Sequence, residues 1–115
     1  MNITKGERID SVLQHMRKYA ELAVSFAQHV DAFEAFCADE LIRMGIAMAI
    51  INLGELTKQL PGDYRDAHSE IPWRAIAGMR DLAAHRYQEL SDKIVWRTVQ
   101  ESIPELLRFI EEQLS

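Results

Sequence analysis

Residues 39–61 read DELIRMGIAMAIINLGELTKQLP, and two apolar stripes run through this stretch and its flank. One consists of Cys37, Leu41, Met44, Met48 and Ile51; the other of Ile42, Ile46, Ala49, Leu53, Leu56 and Leu60. Both advance by alternating steps of four and three, which is the repeat of an α-helix, and each stripe lines its own face. Between Arg43 and Glu55 there is no charge at all. A helix apolar on two sides has to be covered on two sides, and a four-helix protein this small struggles to supply both covers. One stripe is therefore expected to pack within the monomer and the other to meet a second copy of the chain, as apolar patches of this extent mark interfaces. The competing reading is a central helix buried wholly by its own chain.

Upstream, Thr4 and Glu7 stand three apart, the spacing at which a hydroxyl and a carboxylate satisfy each other's free backbone donors at a helix start. Ile9, Val12, Leu13, Met16, Ala20, Ala23, Ala27 and Val30 then give a first helix with one buried stripe. Asp31-Ala-Phe-Glu34 repeats the capping pattern and predicts that a long second helix begins there and ends at Pro61-Gly62. Residues 61–71, PGDYRDAHSEI, read as a loop. Pro72 suits the first turn of a short third helix, PWRAIAGMRDLAAH, where its missing N–H costs nothing. Ser91 is placed to cap a fourth, with Ile94, Val95, Val99, Ile103, Leu106, Leu107, Ile110 and Leu114 in period. Pro104 inside that segment should kink it or start a new short helix. The pattern is all-α: a four- to five-helix up-and-down bundle forming a single domain over residues 1–115.

Composition agrees. The chain has 115 residues, 48% hydrophobic and 27% charged, with 5 Gly and 3 Pro. That is globular rather than disordered, and too sparsely punctuated for many short strands. A net charge of -5 argues against a general nucleic-acid coat, which needs a basic face to displace counterions, yet it leaves room for a local basic site. The single cysteine, Cys37, excludes an intrachain disulfide framework and reads as a small buried hydrophobe in a reducing compartment. The opening residues MNITKGERID lack the apolar core of an export signal, and the uncharged run from Met44 to Gly54 is too short to cross a membrane. A cytoplasmic, soluble protein without membrane contact is expected.

No glycine-rich phosphate loop, paired cysteine or His-Glu-x-x-His pattern is present, so neither a cofactor nor a metal is expected. His15, His29 and His68 have no partner at ligand spacing and read as surface or half-buried residues. What remains is MRDLAAHRY, residues 79–87. Arg80 and His85 stand five apart, Tyr87 follows two later, and Asp81 precedes His85 by one helical turn, where it can orient the ring. On an ideal helix Arg80 and His85 are about 140° apart while Arg80 and Tyr87 nearly superimpose. For all three to serve one pocket, the helix must end near His85 or a second subunit must complete the cleft. An arginine with a histidine and no metal suits phosphodiester work. The guanidinium clamps the non-bridging oxygens, and the imidazole exchanges a proton with a ribose 2′-OH or with the leaving 5′-oxygen. Surface pairing of Arg80 with Asp81 and of Asp81 with His85 is the bland alternative.

The stretch IPWRAIAGMRDLAAHRY resembles the signature of the HepT-like branch of the HEPN superfamily, Arg-x4-His-x-Tyr, met here by Arg80, His85 and Tyr87. The likeness extends to residues 39–61, similar to the family's long second helix with its Gly-Glu pair at Gly54-Glu55. It continues into IVWRTVQESIPELLRFIEEQL, with Trp96 and Pro104. The resemblance implies a HEPN-type helical bundle that dimerises through the second helix, and metal-independent RNA cleavage as the toxin half of a toxin–antitoxin pair. Arg80 would then stabilise the phosphorane and His85 act as general acid or base, with Asp81, Glu55 and Tyr87 in support. The partner would be a minimal nucleotidyltransferase antitoxin that adenylylates Tyr87, placing phosphate beside Arg80 and blocking the anion site. Asp81 stands where many relatives carry a neutral residue, and Arg86 where many are acidic or polar. Two other classes of function compete: a non-catalytic nucleotide- or partner-binding subunit, and a structural dimer whose motif only pairs charges.

Overall fold

The hydroxyl of Thr4 accepts a hydrogen bond from the backbone N–H of Glu7 at 3.0 Å and opens α1, Lys5–Ala27. A computed structural model describes residues 2–115; Met1, the first residue of the domain expected over 1–115, lies outside the described residues. After α1 come α2 (Phe33–Ala38), α3 (Glu40–Gln59), α4 (Gly62–Ala67), α5 (Trp73–His85), α6 (Asp92–Arg97) and α7 (Ile103–Leu114). The fold is all-helical, and no strand occurs among the described residues.

The expected second helix is two helices. Ala32, not Asp31, precedes α2 and makes no side-chain cap. At Asp39 the backbone turns extended (φ -106°, ψ 94°), and its carboxylate accepts from Ile42 N–H at 3.0 Å to start α3 afresh. The stretch 61–71 is not all loop: it holds α4, tied to α1 by the ion pair of Lys5 with Asp63 and packed through Tyr64. Pro72 lies immediately before the first residue of α5 rather than inside its first turn. Ser91 caps α6 through Ile94 N–H, as its position predicts. Pro104 is absorbed without a sharp break, because one π-helical turn, Thr98–Ser102, precedes α7 and the proline becomes its second residue.

The core forms where α1 meets α3 and α7. Leu13, Met16, Ala20 and Ala23 of α1 are buried against Ile46, Ile50 and Leu53 of α3 and Leu106 and Ile110 of α7. The two alanines let the axes approach closely, and close packing of this kind is what makes core substitutions costly. Thr57 is fully buried among these residues, and its hydroxyl donates to Leu53 C=O at 2.9 Å, so no donor is left unsatisfied. Phe36 of α2 stacks 5.1 Å from Trp96 of α6 and closes one end of the bundle.

The two stripes of α3 have separate fates. Ile46, Ala49, Leu53 and Leu60 are buried, whereas Leu41 is 83% exposed, Met44 56% and Met48 58%. A central helix buried wholly by its own chain is therefore ruled out. Cys37 is half-buried rather than buried, and its thiol is pushed up by partial burial and by Asp92 nearby. No helix among the described residues is long and apolar enough to cross a membrane.

Candidate active site

The motif lies on α5 and the turn after it, pressed against α3. Gly54 makes the contact possible: a Cβ there would fall 2.1 Å from Cβ of Arg80 and 3.0 Å from Ile76 C=O. With no side chain at 54, Arg80 crosses α3 and its Nε reaches 3.0 Å from Glu55 Oε2. That N–H is buried and not aimed along a hydrogen bond, so the contact with Glu55 is a charge pairing rather than a directed bond. Arg80 Nη1 donates to Asp81 Oδ1 at 3.1 Å. Its Nη2 has no hydrogen-bond partner among the described residues, which leaves one edge of the guanidinium for an incoming anion.

Asp81 does not orient His85. Its Oδ1 accepts from Lys58 Nζ at 2.8 Å as well as from Arg80, and no ion pair or hydrogen bond joins it to His85 among the described residues. The Lys58 ammonium, and then Arg80, hold the Asp81 carboxyl below the usual carboxylate range. Two cations and two carboxylates thus meet in one cluster, and a phosphate entering it would have to compete with Asp81 and Glu55 for Arg80.

α5 ends at His85, as one of the two geometric options requires. Arg86 is non-helical (φ -142°, ψ 54°), and Tyr87–Glu89 form a single 3-10 turn. His85 is exposed on the last turn, with neither ring nitrogen in a hydrogen bond among the described residues. The break also cancels the ideal-helix superposition of Arg80 and Tyr87. Tyr87 turns instead to a small cavity that it lines with Phe36, Arg43, Ala47, Leu90 and Asp92. There Arg43 Nε and Nη2 both donate to Asp92 Oδ1, at 3.1 and 2.9 Å, and that carboxylate holds the guanidinium all the more firmly protonated. Arg86 is exposed and lies 3.5 Å from Glu89 rather than beside Asp81.

Arg80, Asp81 and Glu55 are therefore brought together, Tyr87 lines a separate cavity, and His85 is exposed on the last turn of α5. The cavity that Tyr87 lines includes neither Arg80 nor His85. The residues that sequence reasoning missed are Lys58, Arg43 and Asp92. A signal for Arg43 was present: the two charges that bound the uncharged run of α3, Arg43 and Glu55, are the two that meet the motif, one beside Tyr87 and one beside Arg80. No three His, Cys, Asp or Glu side chains converge as a metal site among the described residues. His15 and His29 each bond a carbonyl one turn back, and His68 packs against Tyr64 and Phe109.

Comparison with known proteins identifies the family of the chain. The family model described as "Ribonuclease HepT-like" matches residues 16–113. The "Probable ribonuclease HepT" of Thermococcus cleftensis is 35% identical over 94 residues, covering 82% of this chain and 84% of that protein. "Putative RNase TTE0752" of Caldanaerobacter subterraneus subsp. tengcongensis is 33% identical over 102 residues, covering 89% and 90%. "Putative RNase MJ0125" of Methanocaldococcus jannaschii is 29% identical over 104 residues, covering 90% and 89%. No solved structure matches the chain significantly. With the motif intact and the match running over nearly the whole chain, the protein belongs to the HepT-like ribonuclease family of the HEPN superfamily.

Proposed function

We propose that the protein is an endoribonuclease that cuts RNA with its own side chains and without a metal ion, acting as a homodimer. It is the toxin of a toxin–antitoxin pair, silenced when a minimal nucleotidyltransferase antitoxin adenylylates Tyr87. The observation that carries the nuclease reading is the contrast between Arg80 and His85: Arg80 is anchored by Gly54 and Glu55 with Nη2 free, while His85 is exposed with both ring nitrogens open. The neutral imidazole of His85 removes the proton from a ribose 2′-OH, and the resulting oxyanion attacks phosphorus. The 5′-oxygen leaves with a proton supplied by the imidazolium of the second copy's His85, giving a 2′,3′-cyclic phosphate and a 5′-OH end. Arg80 neutralises the charge that builds on the phosphorane.

Dimerisation is supported by the exposed stripe of α3. Leu41, Met44 and Met48 share their helical face with Glu55, which stands seven residues past Met48 and pairs with Arg80. A second copy covering this stripe would reach the edge of the Arg80 cluster and bring its own His85 toward it. Adenylylation is supported by Tyr87, whose hydroxyl has no hydrogen-bond partner among the described residues. That hydroxyl attacks the α-phosphorus of ATP, and pyrophosphate leaves. The neutralisation of Arg80 by Asp81 and Glu55 favours a second reading, a nucleotide- or partner-binding subunit without hydrolysis. Incubating the purified protein with RNA in excess chelator separates the two. Cyclic-phosphate ends that vanish in a folded H85A variant are expected, and intact RNA overturns the nuclease reading.

A further inference from the structure

The face of α5 that carries His85 continues toward the start of the helix. Asp81, Gly78 and Arg74 fall within about 60° of one another and of His85 around the axis, over a length of about 16 Å, and all four are exposed. At its far end this face runs into an open groove between the end of α3, α4 and the start of α5. Lys58, Arg65 and Arg74 line the groove, against Asp66 as its acidic residue. Arg65 Nε is buried without a hydrogen bond, and neither Arg65 nor Arg74 is in an ion pair among the described residues. Lys58 belongs to both places: it lines the groove and donates to Asp81 beside Arg80.

We propose that this groove seats the backbone of the substrate RNA on one side of the scissile phosphate, with successive phosphates on Arg65, Arg74 and Lys58. The proposal rests on the nuclease reading of the Arg80–His85 site and extends it to the strand beyond the cut. Three cations brought to one groove by α3, α4 and α5, of which Arg65 and Arg74 are in no ion pair among the described residues, match a linear polyanion, and in a chain of net charge -5 they are a local reversal of sign. The surface between the cations is low: Ala75 and Ala77 line the groove, and a Cβ on Gly78 would meet nothing within 4 Å. A glycine in mid-helix is less favourable than alanine, and at Gly78 no close packing contact requires it. An acidic protein is the weaker fit, because protein interfaces anchor on aromatic side chains. The indole of Trp73 is 7% exposed and donates its N–H to His68 C=O.

The test uses the full chain in an H85A background, so that a labelled single-stranded RNA stays intact, and reads binding by fluorescence anisotropy across a range of KCl. R74A should lower the slope of log K against log salt by about 0.7, and R65A/R74A by about 1.4, the loss expected for one and two phosphate contacts. Arg74 is exposed, so R74A remains decisive if R65A disturbs α4. An unchanged slope in folded R74A overturns the groove. An unchanged slope with loss of an acidic protein from pull-downs assigns the cations to that protein and overturns it equally. Cutting of the same RNA by the unaltered chain is scored separately. RNA left uncut sinks the nuclease reading, whereas a slope lost in R74A still assigns the groove to RNA.

Discussion

A Cβ at position 54 would lie 2.1 Å from Cβ of Arg80, so α3 and α5 come together only because residue 54 has no side chain. G54A forces the helices apart or turns Arg80 out of its place beside Glu55. Overpacking of this kind costs about 1–3 kcal/mol, which a thermal melt reads as a drop of several degrees. Cleavage should fall further than stability does, by tenfold or more, as the guanidinium loses its position relative to His85. A G54A protein that melts and cuts like the parent removes the close approach from the mechanism.

Asp81 competes with substrate for Arg80 and Lys58, and D81N should release both cations. RNA affinity is expected to rise severalfold, with the largest gain at low salt where phosphate contacts are least screened. The same substitution has a pH signature. Because the folded carboxyl is held below its ordinary value of about 3.9, its pairing stabilises the fold above that pH and is lost as acid titrates the folded group. D81N should flatten that acid limb of the stability curve and leave neutral stability little changed, the pair being exposed. Weaker RNA binding in D81N would instead make Asp81 a support that holds Arg80 in place.

The helices were largely legible from spacing, and the site only in part, for reasons that particular residues show. Period and capping chemistry identify α1, the end of α5 at His85 and the Ser91 cap, because those signals lie within one or two turns of sequence. The break at Asp39 is invisible to period, since Cys37 and Leu41 are four apart across it and the apolar stripe runs on unbroken. The i,i+4 relation of Asp81 to His85 is sound for an isolated helix, yet Lys58 arrives from α3 and takes the carboxylate at 2.8 Å. Arg43 with Asp92, 49 positions apart, is likewise fixed by which helix faces meet, and local spacing does not encode that.

Leu41 and Met48 are exposed in the single chain, so L41E/M48E removes no core contact and should leave monomer stability within about 0.5 kcal/mol. If the stripe is the dimer surface, two buried like charges per copy would drive the copies apart. Sedimentation should then shift from a dimer to the 13.2 kDa chain at micromolar concentration, and cleavage should fall at least tenfold. A parent protein that already sediments at 13.2 kDa rules out the dimer, and a monomeric variant that still cuts RNA removes the second copy from the site.

Tyr87 and the Arg43–Asp92 pair should separate regulation from chemistry. Y87F keeps the ring that lines the cavity with Phe36 and Leu90, and removes a hydroxyl that bonds to nothing among the described residues. Folding and RNA cleavage should survive, while the added AMP seen by mass spectrometry after co-expression with the nucleotidyltransferase should disappear, leaving toxicity unchecked. D92A acts from the other side. It takes both hydrogen bonds from a guanidinium only 23% exposed, for a loss of about 2 kcal/mol, and it loosens the turn that presents Tyr87. Modification of D92A should therefore slow while its hydroxyl acceptor remains. Unaltered modification in D92A would mean that the antitoxin positions Tyr87 by itself, and AMP found on another residue of Y87F would move the regulatory site elsewhere.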